Sequence, residues 1–189
     1  MKSLPPDFYD RPVVEVAREL IGCTLAHGAT GGVIVEAEAY HDSEGASHGY
    51  RGQTPRTRTL FGPPGHAYVY RSYGIHAMLN AVCEREGVGA GVLIRALEPR
   101  SGVDLMSERR GVAERLLCAG PGRLCEALDV TLALDGAALQ GPELAIGPRP
   151  GDWADPQIRS GPRIGITRAT ELPWRFAAAG NPFVSRPRL

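Results

Sequence analysis

The alternation of apolar and polar positions divides the 189-residue chain into short elements. Val13, Val14, Ala17, Leu20 and Ile21 recur at helical spacing and predict a packing helix over Asp10–Gly22. Asp10 is its expected cap, Pro12 suits its first turn, and Gly22 suits the position just past its end. A short strand is expected at Cys23–Leu25, then a turn over Gly28–Gly32. The stretch Val33-Ile-Val-Glu-Ala-Glu-Ala-Tyr40 reads as a strand that pairs back as a hairpin. Period-two alternation puts Glu36, Glu38 and Tyr40 on one face and Val35, Ala37 and Ala39 on the other.

After Tyr40 the periodicity disappears. Residues 41–65 read as loop, about 25 residues long, and loops of that length in compact domains are usually functional or disordered. Ala67–Arg71 and Ile75–Cys83 read as a second β-hairpin, turning at Ser72-Tyr73-Gly74, where Gly74 supplies the positive φ. Val92–Pro99 is a further apolar strand. Ser101–Cys118 carries two helical patterns, with Leu105, Met106, Val112, Leu116 and Leu117 directed at a core. Gly120-Pro-Gly122 breaks the chain before a short helix over Arg123–Leu128, and a Gly-rich turn opening a helix can bind phosphate. Leu132–Gly161 is loop-rich, with a short strand at Ile146. Arg163–Thr167 reads as a final strand, and a Pro-rich tail from Trp174 as a surface wrap. No repeat or linker interrupts the chain, so residues 1–189 are expected to form one domain.

The apolar fraction of 43% is that of an ordinary globular protein. No run approaches the roughly 20 apolar residues of a membrane span. The segment Met1-Lys-Ser-Leu-Pro-Pro6 lacks the apolar core of a signal peptide, so a cytoplasmic location is expected. Cys23, Cys83, Cys118 and Cys125 form no C-x-x-C pair and read as reduced, buried thiols, not zinc ligands.

Formal net charge is zero, which at first argues against a nucleic-acid partner. The distribution reverses that argument. Between Gly45 and Cys83 there is no Asp or Glu, while Arg51, Arg56, Arg58 and Arg71 alternate with Tyr50, Tyr68, Tyr70 and Tyr73 and with His48, His66 and His76. A basic patch interleaved with aromatics is the footprint of a nucleic-acid surface. Arg56 and Arg58 suit phosphate contacts. Lys2 is the only lysine in the chain, so a strong bias to Arg weakens the meaning of any one of them.

The candidate chemistry lies in the Glu38 strand. Glu36 and Glu38 are expected about 7 Å apart on one face, where two dry carboxylates repel unless one is paired or protonated. Tyr40 offers a flat wall beside them. Arg95 sits inside an apolar strand, where an unpaired charge is costly, and Glu36 and Glu38 are its candidate partners. Tyr73 at a hairpin tip has the position of a wedge that unstacks a duplex, with Tyr68 and Tyr70 on one face of the adjoining strand.

These blocks resemble the alkyladenine (3-methyladenine) DNA glycosylase family. The resemblance rests on Val35-Glu-Ala-Glu-Ala-Tyr40, Gln53-Thr-Pro-Arg-Thr-Arg58, Tyr68-Val-Tyr-Arg-Ser-Tyr-Gly74 through Asn80, Leu93-Ile-Arg-Ala-Leu-Glu-Pro99 and Gly120-Pro-Gly-Arg-Leu-Cys125, in that order. It implies a mixed α+β fold: a single domain around a curved antiparallel sheet with a protruding β-hairpin. It implies that Glu38 activates the attacking water and that Arg95 helps hold it. It implies a base pocket of Tyr40 on one side of the flipped base and His48 and Tyr70 on the other. Asn80 then disfavours the exocyclic amine of guanine, Tyr73 fills the gap in the duplex, and Arg56, Arg58 and Arg71 meet the backbone. The loop before His48 is one residue shorter than in the mammalian pattern, and Ile75 stands where the family has a methionine. The resemblance implies no metal and no cofactor, a double-stranded DNA partner carrying damaged purines, and a monomer with no obligate protein partner. The competing expectation is a non-catalytic nucleic-acid-binding module of the same fold.

Overall fold

A computed structural model describes residues 2–189. Among them, eight strands form one curled antiparallel sheet: β1 (Thr24–His27), β2 (Thr30–His41), β3 (Ala67–Ser72), β4 (His76–Val82), β5 (Ala90–Ser101), β6 (Leu144–Gly147), β7 (Ile158–Gly161) and β8 (Arg175–Ala178). The main order is β3-β4-β5-β2-β1-β6. Strand β2 is the centre. Residues Thr30–Val33 pair with β1, Glu36–Glu38 pair with β8, and β5 runs along the opposite edge. The ladder with β5 shifts register on either side of Glu36.

This central place decides the burial of β2. Every residue from Thr30 to Ala39 is buried, so both faces are covered, where the alternation alone describes a half-buried strand. Val35, Ala37 and Ala39 join the apolar core with Leu79, Ile94, Leu97 and the stripe of α1 (Val13–Glu19). The hairpin of β1 and β2 forms as expected, but β2 already begins at Thr30, inside the expected turn.

The first helix is shorter than its pattern, and Asp10 does not cap it. Pro12 occupies the cap, and the Val13 N–H donates to Glu84 Oε1 at 3.0 Å, a partner 71 residues away. Val16 replaces Val14 in its buried stripe. Between residues 101 and 118 one helix forms, α2 (Val103–Arg110), followed by a single 3-10 turn at Glu114–Leu116. Met106 and Leu117 are buried there, whereas Val112 is exposed. Helix α3 (Pro121–Leu128) opens at the Gly-Pro-Gly break and packs on β4 and α2. Gly122 allows the close approach to β4: a Cβ there would lie 2.9 Å from that of His76.

Two expectations near the C-terminus are overturned. Arg163–Thr167 is not a strand; the strands lie on either side of it, as β7 and β8, which pair with each other. The tail from Trp174 does not merely wrap the surface, because β8 is wholly buried against β2. Local patterning missed both because short strands of four residues carry little periodicity and are stabilised by their neighbours. The four cysteines are free and buried.

Candidate active site

Strands β2, β5, β3 and β4 and the loops around them enclose a cavity of about 490 Å³. Its lining includes Tyr40, His48, Tyr68, Tyr70, Asn80 and Arg95. That volume lies within the usual range of small-molecule sites. Residues dispersed over positions 40 to 95 are therefore brought to one concavity.

Beneath it lies a closed ionic cluster. Glu36 and Glu38 are both wholly buried. Arg95 bridges them, Nε to Glu36 Oε1 at 3.0 Å and Nη1 to Glu38 Oε2 at 3.2 Å. The alternatives for the Arg95 partner resolve into both. Glu38 Oε2 also accepts the Tyr40 hydroxyl at 2.8 Å, and Oε1 accepts the Ile164 N–H at 2.7 Å. Burial pulls the Arg95 guanidinium down, but the Glu38 and Glu36 carboxylates more than reverse this and hold it above its ordinary value. Burial pushes the Glu36 carboxyl up, yet Arg95, Arg175 and the hydrogen bonds of Ser185 leave it below the ordinary range. Of the two routes open to close carboxylates, pairing is the one taken.

The aromatic walls are interlocked. The rings of His48 and Tyr70 lie edge to face, 4.4 Å between centroids, and Tyr68 and Tyr70 are 5.4 Å apart. Tyr68 OH and His48 Nδ1 are 3.2 Å apart. Burial raises both Tyr68 and Tyr70 to about 12, so both stay neutral. His48 is pushed below its ordinary value by burial and then by Arg56. Asn80 Nδ2 donates to the carbonyls of Tyr68 at 3.1 Å and Met78 at 3.4 Å, which fixes the amide in the wall.

Tyr73 is 89% exposed and Ile75 74% exposed at the turn between β3 and β4. Tyr73 adopts φ +49° and Gly74 φ +74°, and the Ile75 N–H donates to the Ser72 carbonyl at 3.1 Å. A bulky residue held at positive φ and left in solvent is unusual. Arg58 and Arg71 are exposed near this hairpin. Arg56 lies over the Tyr70 ring at 5.8 Å and lines the cavity, so it is tied to the aromatic wall as well as exposed.

Several residues at the site were not singled out from sequence. Arg163, fully buried, pairs with Glu44 through two bonds of 2.7 and 3.0 Å and covers the Tyr40 ring at 4.6 Å. Arg175 donates from Nε to Glu36 Oε1 at 2.7 Å. Each borders an apolar run, as Arg95 does, and that was the available signal. Beyond Arg95 a second groove of about 610 Å³ is lined by Arg110, Arg115, Arg123 and Arg186. Its residues are scattered in sequence, so no window displays it. Among the described residues no three His, Cys, Asp or Glu side chains gather as a metal-ligand set. No helix of the described residues is long and apolar enough to cross a membrane.

Comparison with known proteins adds a full-length relationship. The chain is 55% identical over 186 residues to a protein of Rhodopseudomonas palustris strain BisB18, covering 98% of this chain and 92% of that one. It is 52% identical over 187 residues to proteins of Nitrobacter winogradskyi and Nitrosospira multiformis, covering 98% of this chain and 88% and 95% of theirs. All three bear the name "Putative 3-methyladenine DNA glycosylase". The profile of the family described as Methylpurine-DNA glycosylase (MPG) matches residues 7–182. With that match across the whole cavity and its ionic floor, the chain belongs to the methylpurine-DNA glycosylase family, and it is a DNA glycosylase, a hydrolase of N-glycosyl bonds.

Proposed function

We propose that the enzyme is a monofunctional DNA glycosylase that extrudes alkylated or deaminated purines and hydrolyses their N-glycosidic bond with a water activated by Glu38. The observation that carries this reading is the cavity itself: an aromatic-walled concavity lined by Arg95, with Glu38 buried directly behind it at 3.2 Å from Arg95 Nη1. A base inside the stack cannot be reached, so it must be flipped out, and damaged bases cost least to extrude. Tyr40, His48 and Tyr70 supply rings for stacking, and Tyr73 fills the vacated space. Exposed Arg58 and Arg71, with Arg56, meet the phosphates, and the arginine-lined groove beyond Arg95 offers further positive charge.

The step balances without a cofactor. The water oxygen attacks the sugar C1′, its proton passes to Glu38, and the bonding pair leaves with the base. A 3- or 7-alkylpurine carries positive charge before cleavage and departs neutral. Hypoxanthine departs as an anion unless it is protonated. His48 is held below its ordinary pKa and is a poor donor at neutral pH, which favours alkylated purines. A neutral ring there also does not repel a cationic base. Fixed by its two backbone hydrogen bonds, Asn80 disfavours the exocyclic amine of unmodified guanine; 7-methylguanine keeps that amine, and its positive charge offsets the penalty by making it the better leaving group. Lys2, the only lysine, is remote from these residues in sequence, and no lyase step is assigned. A monomer working in the cytoplasm suits an enzyme that scans DNA.

The test is base release from duplexes carrying 7-methylguanine or hypoxanthine, in EDTA, by the wild type and Glu38→Gln. Expected are release by the wild type, faster from the methylated duplex, and none by Glu38→Gln, with binding intact. Release undiminished in Glu38→Gln removes that residue from the mechanism. Binding without release by the wild type makes the protein a binding module.

A further inference from the structure

Glu36, like Glu38, is wholly buried and does not line the cavity, and it lies on the far side of Arg95, which does. Its Oε1 accepts Arg95 Nε at 3.0 Å, Arg175 Nε at 2.7 Å and Ser185 Oγ at 3.0 Å, and its Oε2 accepts the Ser185 N–H at 2.8 Å. Arg175 Nη2 in turn donates to the Pro187 carbonyl at 2.6 Å. Two carboxylates and two guanidiniums thus form a neutral buried group, closed by the last residues of the chain. An apolar core of the same volume would be cheaper, because burying ions costs several kcal/mol each before pairing.

The geometry of Arg95 supplies a reason for retaining it. A free guanidinium beside a carboxylate settles into a two-bond fork. Glu36 occupies Nε and removes the Nε–Nη edge from Glu38, and the one contact made there is from Nη1. We propose that Glu36 is a positioning residue for excision: it holds Arg95 in a one-bond contact with Glu38 Oε2, so that of the roughly four acceptor sites of the Glu38 carboxylate, three of them taken by Arg95, the Tyr40 hydroxyl and the Ile164 N–H, one on Oε1 stays open to a water, and Ser185 and Arg175 hold Glu36. This rests on the reading of Glu38 as the base. Glu36 touches no substrate and acts through Arg95.

The test measures single-turnover release of 7-methylguanine and the Kd for the same duplex, with folding followed by urea denaturation. Glu36→Gln is expected to slow release by about tenfold or more with Kd unchanged. A role confined to stability would lower the urea midpoint and leave the rate of the folded fraction intact; that result overturns the proposal. A double-mutant cycle with Arg95→Lys decides the route. Losses that do not add place Glu36 and Arg95 in one unit; additive losses overturn the proposal. Should Glu36→Gln not fold, Ser185→Ala removes one of the four bonds to Glu36. A rate loss of about threefold at constant Kd then supports the proposal, and a wild-type rate overturns it. Glu38→Gln runs alongside. Undiminished release in that variant sinks the Glu38 reading itself, whereas an inactive Glu38→Gln beside a fully active Glu36→Gln sinks this inference alone.

Discussion

The Tyr40 hydroxyl shows how much one atom carries at this site. It donates to Glu38 Oε2 at 2.8 Å, while its ring is covered by Arg163 at 4.6 Å. Burial and the Glu38 charge push that hydroxyl far above its ordinary value, so it is a donor at every working pH. Tyr40→Phe keeps the ring and removes the donor. A hydrogen bond to a charged group is worth about 1.5–3 kcal/mol, so single-turnover excision should change by about tenfold or more with lesion binding retained. Glu36 gives a pH signature. Its folded pKa lies below the usual carboxylate value, so its contribution to stability is complete above that value, about 4.3 in an unfolded chain. That contribution is lost as pH falls through the lowered folded value. Urea midpoints measured from pH 7 down to pH 3 should fall for the wild type. The Glu36→Gln variant, weaker at neutral pH, should show a smaller fall. At this scale residue identity was readable: Glu38, Tyr40 and Arg95 stood out because charges and a ring interrupt apolar strands. Glu44, Arg163 and Ser185 did not, because their partners lie more than a hundred residues away.

Among the elements, the β3–β4 hairpin separates stability from function most cleanly. Tyr73 is 89% exposed at its turn and buries almost nothing. Exposed substitutions away from special features change stability by about 0.5 kcal/mol or less, and Ala relieves no packing there. Tyr73→Ala should therefore leave the urea midpoint near that of the wild type. Loss of one stacked aromatic should weaken lesion-duplex binding by roughly tenfold, read by fluorescence anisotropy. A hairpin is legible locally because its turn chemistry is local: Ser72-Tyr73-Gly74 sits where the chain reverses. The caps and short strands were not. Helix α1 takes its terminal acceptor from Glu84, and β7 and β8 exist because they pair with each other and with β2.

For the whole molecule, the chain end closes the site from behind. Ser185 supplies two hydrogen bonds to Glu36, and Pro187 one to Arg175. Truncation after Val184 leaves a buried carboxylate and a buried guanidinium short of partners. Unsatisfied buried groups cost about 1–3 kcal/mol each, so the truncated chain should lose about 3 kcal/mol in urea denaturation and most of its excision activity. The class of fold was legible only through the family resemblance; the sequence by itself determined the strand bearing Glu38, the β3–β4 hairpin and the basic aromatic stretch. Each follows from periodicity, turn residues or charge spacing within a window of a few tens of residues. Only the tertiary structure decided that β2 lies at the sheet centre with both faces covered. It alone decided that Glu36 is held by two guanidiniums, and that residues 163–187 return to seal the ionic floor. Those outcomes depend on packing between distant segments, where the desolvation of a charge is settled by whichever partner the fold delivers.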